Sequence, residues 1–106
     1  MNKTCRGRKT GTGDAGAAAE AARFFKALAH PARVHLAIRL LRGDCCVSEA
    51  GAVLDISQPN VSQHLKILKD AGIISGRRQG AKICYSLADP RLARILRILL
   101  FEENDR

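Results

Sequence analysis

Three groups of residues carry side chains whose types and spacing suit chemistry. The first is the adjacent thiol pair Cys45-Cys46, followed by Val47-Ser48-Glu49. Cys46 to Glu49 has the S/T-x-x-E frame of a capping box with a thiol in place of the hydroxyl. A hydroxyl caps better, and N–H groups at a helix start favour a thiolate. The pair therefore reads as sulfur placed for reaction or for a soft ion, set against two small apolar side chains packed at a helix start. It also admits a vicinal disulfide, strained because consecutive Cα atoms are ~3.8 Å apart, below the usual disulfide span. The second group is Asn60, Ser62, Gln63 and Lys66, opposite an apolar stripe of Val61, Leu65 and Leu68. Asn and Gln pair bidentately with adenine edges in a DNA major groove, and Lys reaches guanine or phosphate. The third is Arg77, Arg78 and Lys82 around a Gln79-Gly80 turn. Cys84 shares its strand face with Lys82 and Ser86 and reads as a spare thiol, and His64 flanks the apolar stripe as a structural histidine.

The elements that position these groups follow from periodicity and breakers. Residues 1–16 hold four glycines, four basic residues and Cys5, with no branched aliphatic or aromatic side chain, and read as a disordered basic tail. Residues 17–106 form the folded domain. Its first helix covers residues 17–28, with Ala18, Ala21, Ala22, Phe25 and Leu28 at helical spacing. Ala29-His30-Pro31 breaks it, and a second helix runs to Arg42, burying Val34, Ile38, Leu40 and Leu41. A short third helix ends near Leu54. Ser57 caps a fourth, with Pro59 in its first turn, that reaches about Gly72. Two strands around Gln79-Gly80 make a hairpin, with Ile83, Tyr85 and Leu87 on one face. Asp89-Pro90 opens a last helix whose stripe is Leu92, Ile95, Leu96 and Leu99, widened by Ile98, Leu100 and Phe101. Such a helix wants apolar partners on more than one side, as at a dimer seam. Arg91, Arg94 and Arg97 read as a solvated row.

Composition bounds the function. The 106 residues carry 18 Lys and Arg against 10 Asp and Glu, a formal charge of +8. Residues 17–106 keep 14 basic and 9 acidic residues, so the tail does not account for all the charge. A polyanionic partner fits that balance. No apolar run approaches the ~20 residues of a membrane span, and the N-terminus has charges without a hydrophobic signal region. The expected location is the cytoplasm, with reduced thiols. No Cys-x-x-Cys occurs, which argues against a zinc finger or a disulfide scaffold, and no acid–base pair marks a cleft, so an enzyme is not expected.

Five helices with a basic hairpin after the fourth give a mainly α chain with a small β-hairpin wing, in the order of a winged helix-turn-helix. Leu28-Ala29-His30-Pro31-Ala32-Arg33, Asp44-Cys45-Cys46-Val47-Ser48-Glu49 and the run from Ile56-Ser57-Gln58-Pro59-Asn60-Val61-Ser62-Gln63-His64-Leu65-Lys66 to Ile74 closely resemble the ArsR/SmtB family of bacterial transcriptional repressors. The resemblance covers about residues 17–100. It implies a homodimer with the first and last helices at the interface, which assigns Phe25, Leu92, Ile95, Leu96 and Leu99 to that seam. It also implies repression of an operon through an inverted-repeat DNA operator until an inducer weakens binding. Residue by residue, it makes Ser57, Gln58, Asn60, Ser62 and Gln63 base or phosphate contacts, and Arg77, Arg78 and Lys82 the wing's grip on backbone or minor groove.

The same resemblance puts a thiol site at Cys45-Cys46. The family's arsenic-type pattern, Cys-Val-Cys, keeps its first thiol as Cys46 and has Ser48 in place of the second. As(III) or Sb(III) is the implied inducer, with Cys5 as a third ligand, and oxidation of Cys45-Cys46 to a disulfide is the alternative. A zinc-type site on the last helix is not expected, because residues 89–101 contain no His or Cys. A winged helix that binds nucleic acid without sensing anything is the remaining alternative.

Overall fold

A computed structural model describes residues 12–101. Its elements are α1 (Thr12–Leu28), α2 (Pro31–Leu41), β1 (Cys45–Cys46), α3 (Val47–Leu54), α4 (Gln58–Asp70), β2 (Ile74–Gln79), β3 (Lys82–Leu87) and α5 (Pro90–Leu100). The strands form one antiparallel sheet in the order β1-β3-β2.

Helix α1 starts five residues before the position expected from the glycine-rich composition. Residues 13–23 are all exposed, so local propensity carries this half: Asp14 complements the helix N-terminus and alanines dominate the next two turns. Cys5 and the rest of the expected tail lie outside the described residues.

Three punctuation signals act as the sequence implies. His30 caps α2, its Nδ1 accepting from the Ala32 N–H at 3.0 Å, and Pro31 follows. Asp89 caps α5, accepting from the Arg91 N–H at 2.9 Å, with Pro90 next. Gly80, at φ 65, is the first of two residues between paired Gln79 and Lys82, the place where a tight II′ hairpin turn requires glycine. Ser57 occupies the N-cap position of α4 but makes no side-chain capping bond.

The core is contributed by every helix. Val61, Leu65 and Leu68 of α4 are buried as the stripe predicts, and with Leu36, Ile73 and Leu92 they include the most deeply enclosed side chains of the chain. On α2 the inward face is Leu36, Ala37 and Leu40, while Val34, Ile38 and Leu41 pack against the core half-buried. On α1 it is Phe24 and Ala27, with Phe25 at 59% exposure. Periodicity finds an apolar face but not its centre, and both helices are turned by about one residue relative to the expected stripe.

The wing is more than a hairpin. Cys45 and Cys46, expected in a joint, form a short third strand on the free edge of β3, in register with Tyr85 and Cys84. Two residues are too few for an alternation signal, so only the partner strand defines β1. Opposite Tyr85 on the other side stands Gly76, where an added Cβ would come within 2.9 Å of the ring.

Candidate nucleic-acid interface and thiol site

The connection from α3 to α4 is a tight turn in which Asp55 adopts φ 58 and its N–H bonds to the Gly51 carbonyl. That turn, together with the core contacts of Val61, Leu65 and Leu68, rotates the other side of α4 outward. Ser57, Gln58, Asn60, Ser62, Gln63 and Lys66 are all exposed there. The unused hydroxyl of Ser57 stands at the helix N-terminus, beside N–H groups that suit a phosphate oxygen.

Two of the predicted cations are engaged within the chain. Lys66 pairs with Asp70 at 3.0 Å and Arg77 with Asp44 at 3.4 Å, all four side chains about half exposed or more. Exposed pairs of this kind contribute little to stability and exchange readily for a phosphate. Arg78 and Lys82 make no ion pair among the described residues.

Behind the recognition face, His64 is half-buried rather than outward. Its Nδ1 lies 3.3 Å from Arg33 Nη1 and its ring centroid 4.6 Å from that of His30. Burial, and then the cations beside it, hold its pKa below the ordinary 6.5. The structural role expected for it is the one these contacts describe: it joins α4 to the start of α2.

The thiols separate. In an extended strand, consecutive side chains leave opposite faces of the sheet. Cys45 points into the hydrophobic core at 4% exposure, and burial pushes its thiol pKa up. Cys46 points the other way and caps α3, where its N–H donates to Glu49 Oε1 at 2.9 Å and its Sγ lies 3.5 Å from Ser48 Oγ. That N–H holds the Glu49 carboxyl below its ordinary range. As placed, the two sulfurs leave opposite faces of β1, and among the described residues no group of three or more His, Cys, Asp or Glu side chains is arranged to hold a metal ion.

The Cys46 thiol opens onto a groove of about 380 Å³ that Ser48, Gln58, Ser62, Lys82 and Ile83 also line. One candidate sensor residue and three candidate DNA contacts thus share one surface depression. Sequence reasoning missed this juxtaposition, since nothing local ties the wing to the start of α3.

The dimer residues also divide. Leu92 and Leu96 are 0% and 3% exposed in the single chain, so they belong to its own core and present no surface to a partner. Ile95 is half-buried, whereas Phe25, Ile98, Leu99 and Phe101 are 51–67% exposed. A groove of about 240 Å³ between α1 and α5, lined by Phe24, Phe25 and Ile95 among others, adjoins this apolar surface. No helix among the described residues is long and apolar enough to cross a membrane.

Comparison with known proteins agrees with this geometry. The model of the arsR family of bacterial regulatory proteins matches residues 30–75, which run from the cap of α2 through α4 into β2. A biofilm growth-associated repressor of Agrobacterium fabrum is 46% identical over 82 residues, 77% of this chain and 70% of that protein. A probable mercury resistance operon repressor of Streptomyces lividans is 50% identical over 72 residues; the match spans 68% of this chain but only 58% of that relative. The crystal structure of the transcriptional repressor BigR from Xylella fastidiosa superposes with a TM-score of 0.74 at 33% identity, covering 86% of this chain and 93% of that one. With its five helices and β2–β3 wing, the chain is a winged helix-turn-helix protein and belongs to the arsR family of bacterial transcriptional regulators.

Proposed function

We propose that this chain is a repressor that binds an inverted-repeat operator as a homodimer and is released by chemistry at the Cys46 thiol. The observation that carries this reading is the shared groove, in which the thiol faces the same depression as Gln58, Ser62 and Lys82. Anything that enlarges, charges or reorients Cys46 changes the surface proposed to meet DNA, so the chain with a modified Cys46 and the chain without it differ in affinity for the operator, as coupling requires. Ser57, Gln58, Asn60, Ser62, Gln63 and Lys66 enter the major groove, and Arg77, Arg78 and Lys82 hold the backbone or minor groove and set register. Two copies related by a two-fold axis through the apolar surface of Phe25, Ile95, Ile98, Leu99 and Phe101 would present recognition helices to half-sites ~34 Å apart.

For the inducer, the resistance-operon name of the 50% identical relative favours a soft ion, and As(III) or Sb(III) suits sulfur equally. Because Cys45 faces the core, such an ion would take Cys46 with Cys5 or with Cys84 rather than the adjacent pair. The folded domain is residues 17–106, with α1 extended back to Thr12, and the four basic residues near the N-terminus add salt-dependent, non-specific affinity.

Selection of duplexes from a random library by the full chain tests the DNA half: an inverted repeat should emerge, and recovery of random sequence would leave only a non-specific nucleic-acid binder. Free-thiol counts and release of the selected duplex after stoichiometric arsenite test the other half. Release that persists in Cys46→Ser would remove the thiol from the mechanism.

A further inference from the structure

The short strand β1 places Cys46 directly opposite Cys84 on the central strand β3, and Cys84 in turn opposite Arg77 on β2, so the three form one row across the sheet. Directly opposed residues of an antiparallel pair put their side chains on the same face. Their Cα atoms lie ~4.5–5.5 Å apart, within the ~4.4–6.8 Å that disulfides span. The Cys45-Cys46 pair fails both conditions, with Cα atoms ~3.8 Å apart and sulfurs on opposite faces. Cys84 is also the most accessible of the three described thiols, half-buried, with Gln79 Oε1 accepting from its Sγ at 3.4 Å.

We infer that Cys46 and Cys84 form a cross-strand disulfide on exposure to peroxide, and that this bond lowers the affinity of the chain for its operator. The second clause rests on the repressor reading above. The Cys84 thiolate attacks one peroxide oxygen, the O–O bond breaks, and the departing hydroxide leaves as water with a proton from solvent. The Cys46 sulfur then attacks the resulting sulfenic acid; the S–O bond breaks and the second oxygen leaves as water with the Cys46 proton. Two thiols are oxidised and one peroxide is reduced to two waters.

Forming the bond turns Sγ of Cys46 away from Ser48 and out of the groove, and ties the start of α3 to the base of the wing. The two elements that grip DNA, α4 behind α3 and the β2–β3 hairpin, then lose their independent adjustment.

The test uses the reduced full chain, a chelator to exclude metals, stoichiometric hydrogen peroxide and a quench by thiol alkylation. Trypsin releases residues 43–66 with Cys45 and Cys46, and residues 83–91 with Cys84. The expected result is a mass loss of two hydrogens and a disulfide joining these two peptides, retained in Cys45→Ala and lost in Cys46→Ser and Cys84→Ser. A bond within residues 43–66, a bond to Cys5 or between chains, or three free thiols at these positions would overturn it. In parallel, peroxide should weaken binding of the selected duplex roughly tenfold or more, within the usual range of coupling, reversibly with dithiothreitol, and spare Cys84→Ser. Equal loss of affinity in wild type and Cys84→Ser overturns the regulatory clause. A reduced chain that selects no DNA sequence would instead overturn the repressor reading, while the peptide map still decides the disulfide.

Discussion

Helices α4 and α5 are built to the same plan and end with opposite surfaces. Each begins with a proline in its first turn and seals leucines into the core, Leu65 and Leu68 on one and Leu92 and Leu96 on the other. Outside that stripe α4 carries mainly amide, hydroxyl and charged side chains, with Ile67 exposed among them, whereas α5 leaves Ile98 and Leu99, with the neighbouring Phe101, exposed among arginines. A helix whose buried side chains are already satisfied has no folding reason to expose further large apolar ones, so under the proposed function the exposed surface of α5 is assigned to a second copy and that of α4 to DNA. Depth of burial in one chain thus separates residues that hold the fold, Leu92 and Leu96, from Leu99 on nearly the same face, which is left free for the proposed second copy.

The sharpest break of this comparison is on α5. Leu92→Ala, at a fully enclosed position, should cost about 2–5 kcal/mol of unfolding free energy in a denaturant titration. Leu99→Glu, two turns further along nearly the same face and 67% exposed, should leave the far-ultraviolet spectrum and folding intact but move the sedimentation profile from dimer to monomer. An unchanged profile would place the seam elsewhere.

On α4, Gln63→Ala should lose about 1–3 kcal/mol of discrimination at one operator position, read by competition among duplexes that differ at single base pairs. Lys82→Ala on the wing should weaken all duplexes alike and reduce the salt slope of log affinity by about 1. A position-specific loss from Lys82 would mean that the wing reads sequence.

The smallest effect concerns the support behind α4. Since burial and neighbouring cations lower the pKa of His64 in the folded chain, the unfolded chain binds more protons below 6.5. The stabilisation is complete above that pH and is lost as pH falls from 6.5 through the folded value. Thermal unfolding should therefore show lower stability at pH 5 than at pH 7.5, with a smaller difference in His64→Gln.

How much of this was legible beforehand differs by element. The break at His30-Pro31, the cap at Asp89-Pro90, the turn at Gly80 and the stripe of α4 depend on backbone geometry and neighbours within four residues, so a linear reading finds them. The inward faces of α1 and α2 were read about one residue off. Small and large apolar residues crowd more than one face there, and packing against other helices chooses among them. The resemblance assigns all of Leu92, Ile95, Leu96 and Leu99 to a seam, and only burial in the folded chain shows that Leu92 and Leu96 belong to the core.

The amino-acid sequence by itself determined the order of the five helices and the hairpin and the polar face of α4, because propensity, punctuation and periodicity are local, and its motifs carried the family resemblance. Only the tertiary structure decided what the thiols can do. A two-residue strand has no signature of its own, and its pairing with β3 turns Cys45 into the core, Cys46 towards the groove it lines with Gln58, Ser62 and Lys82, and Cys84 into the place opposite it. Residues 38 positions apart became neighbours through a ladder of backbone hydrogen bonds, and such long-range register is written in no segment alone.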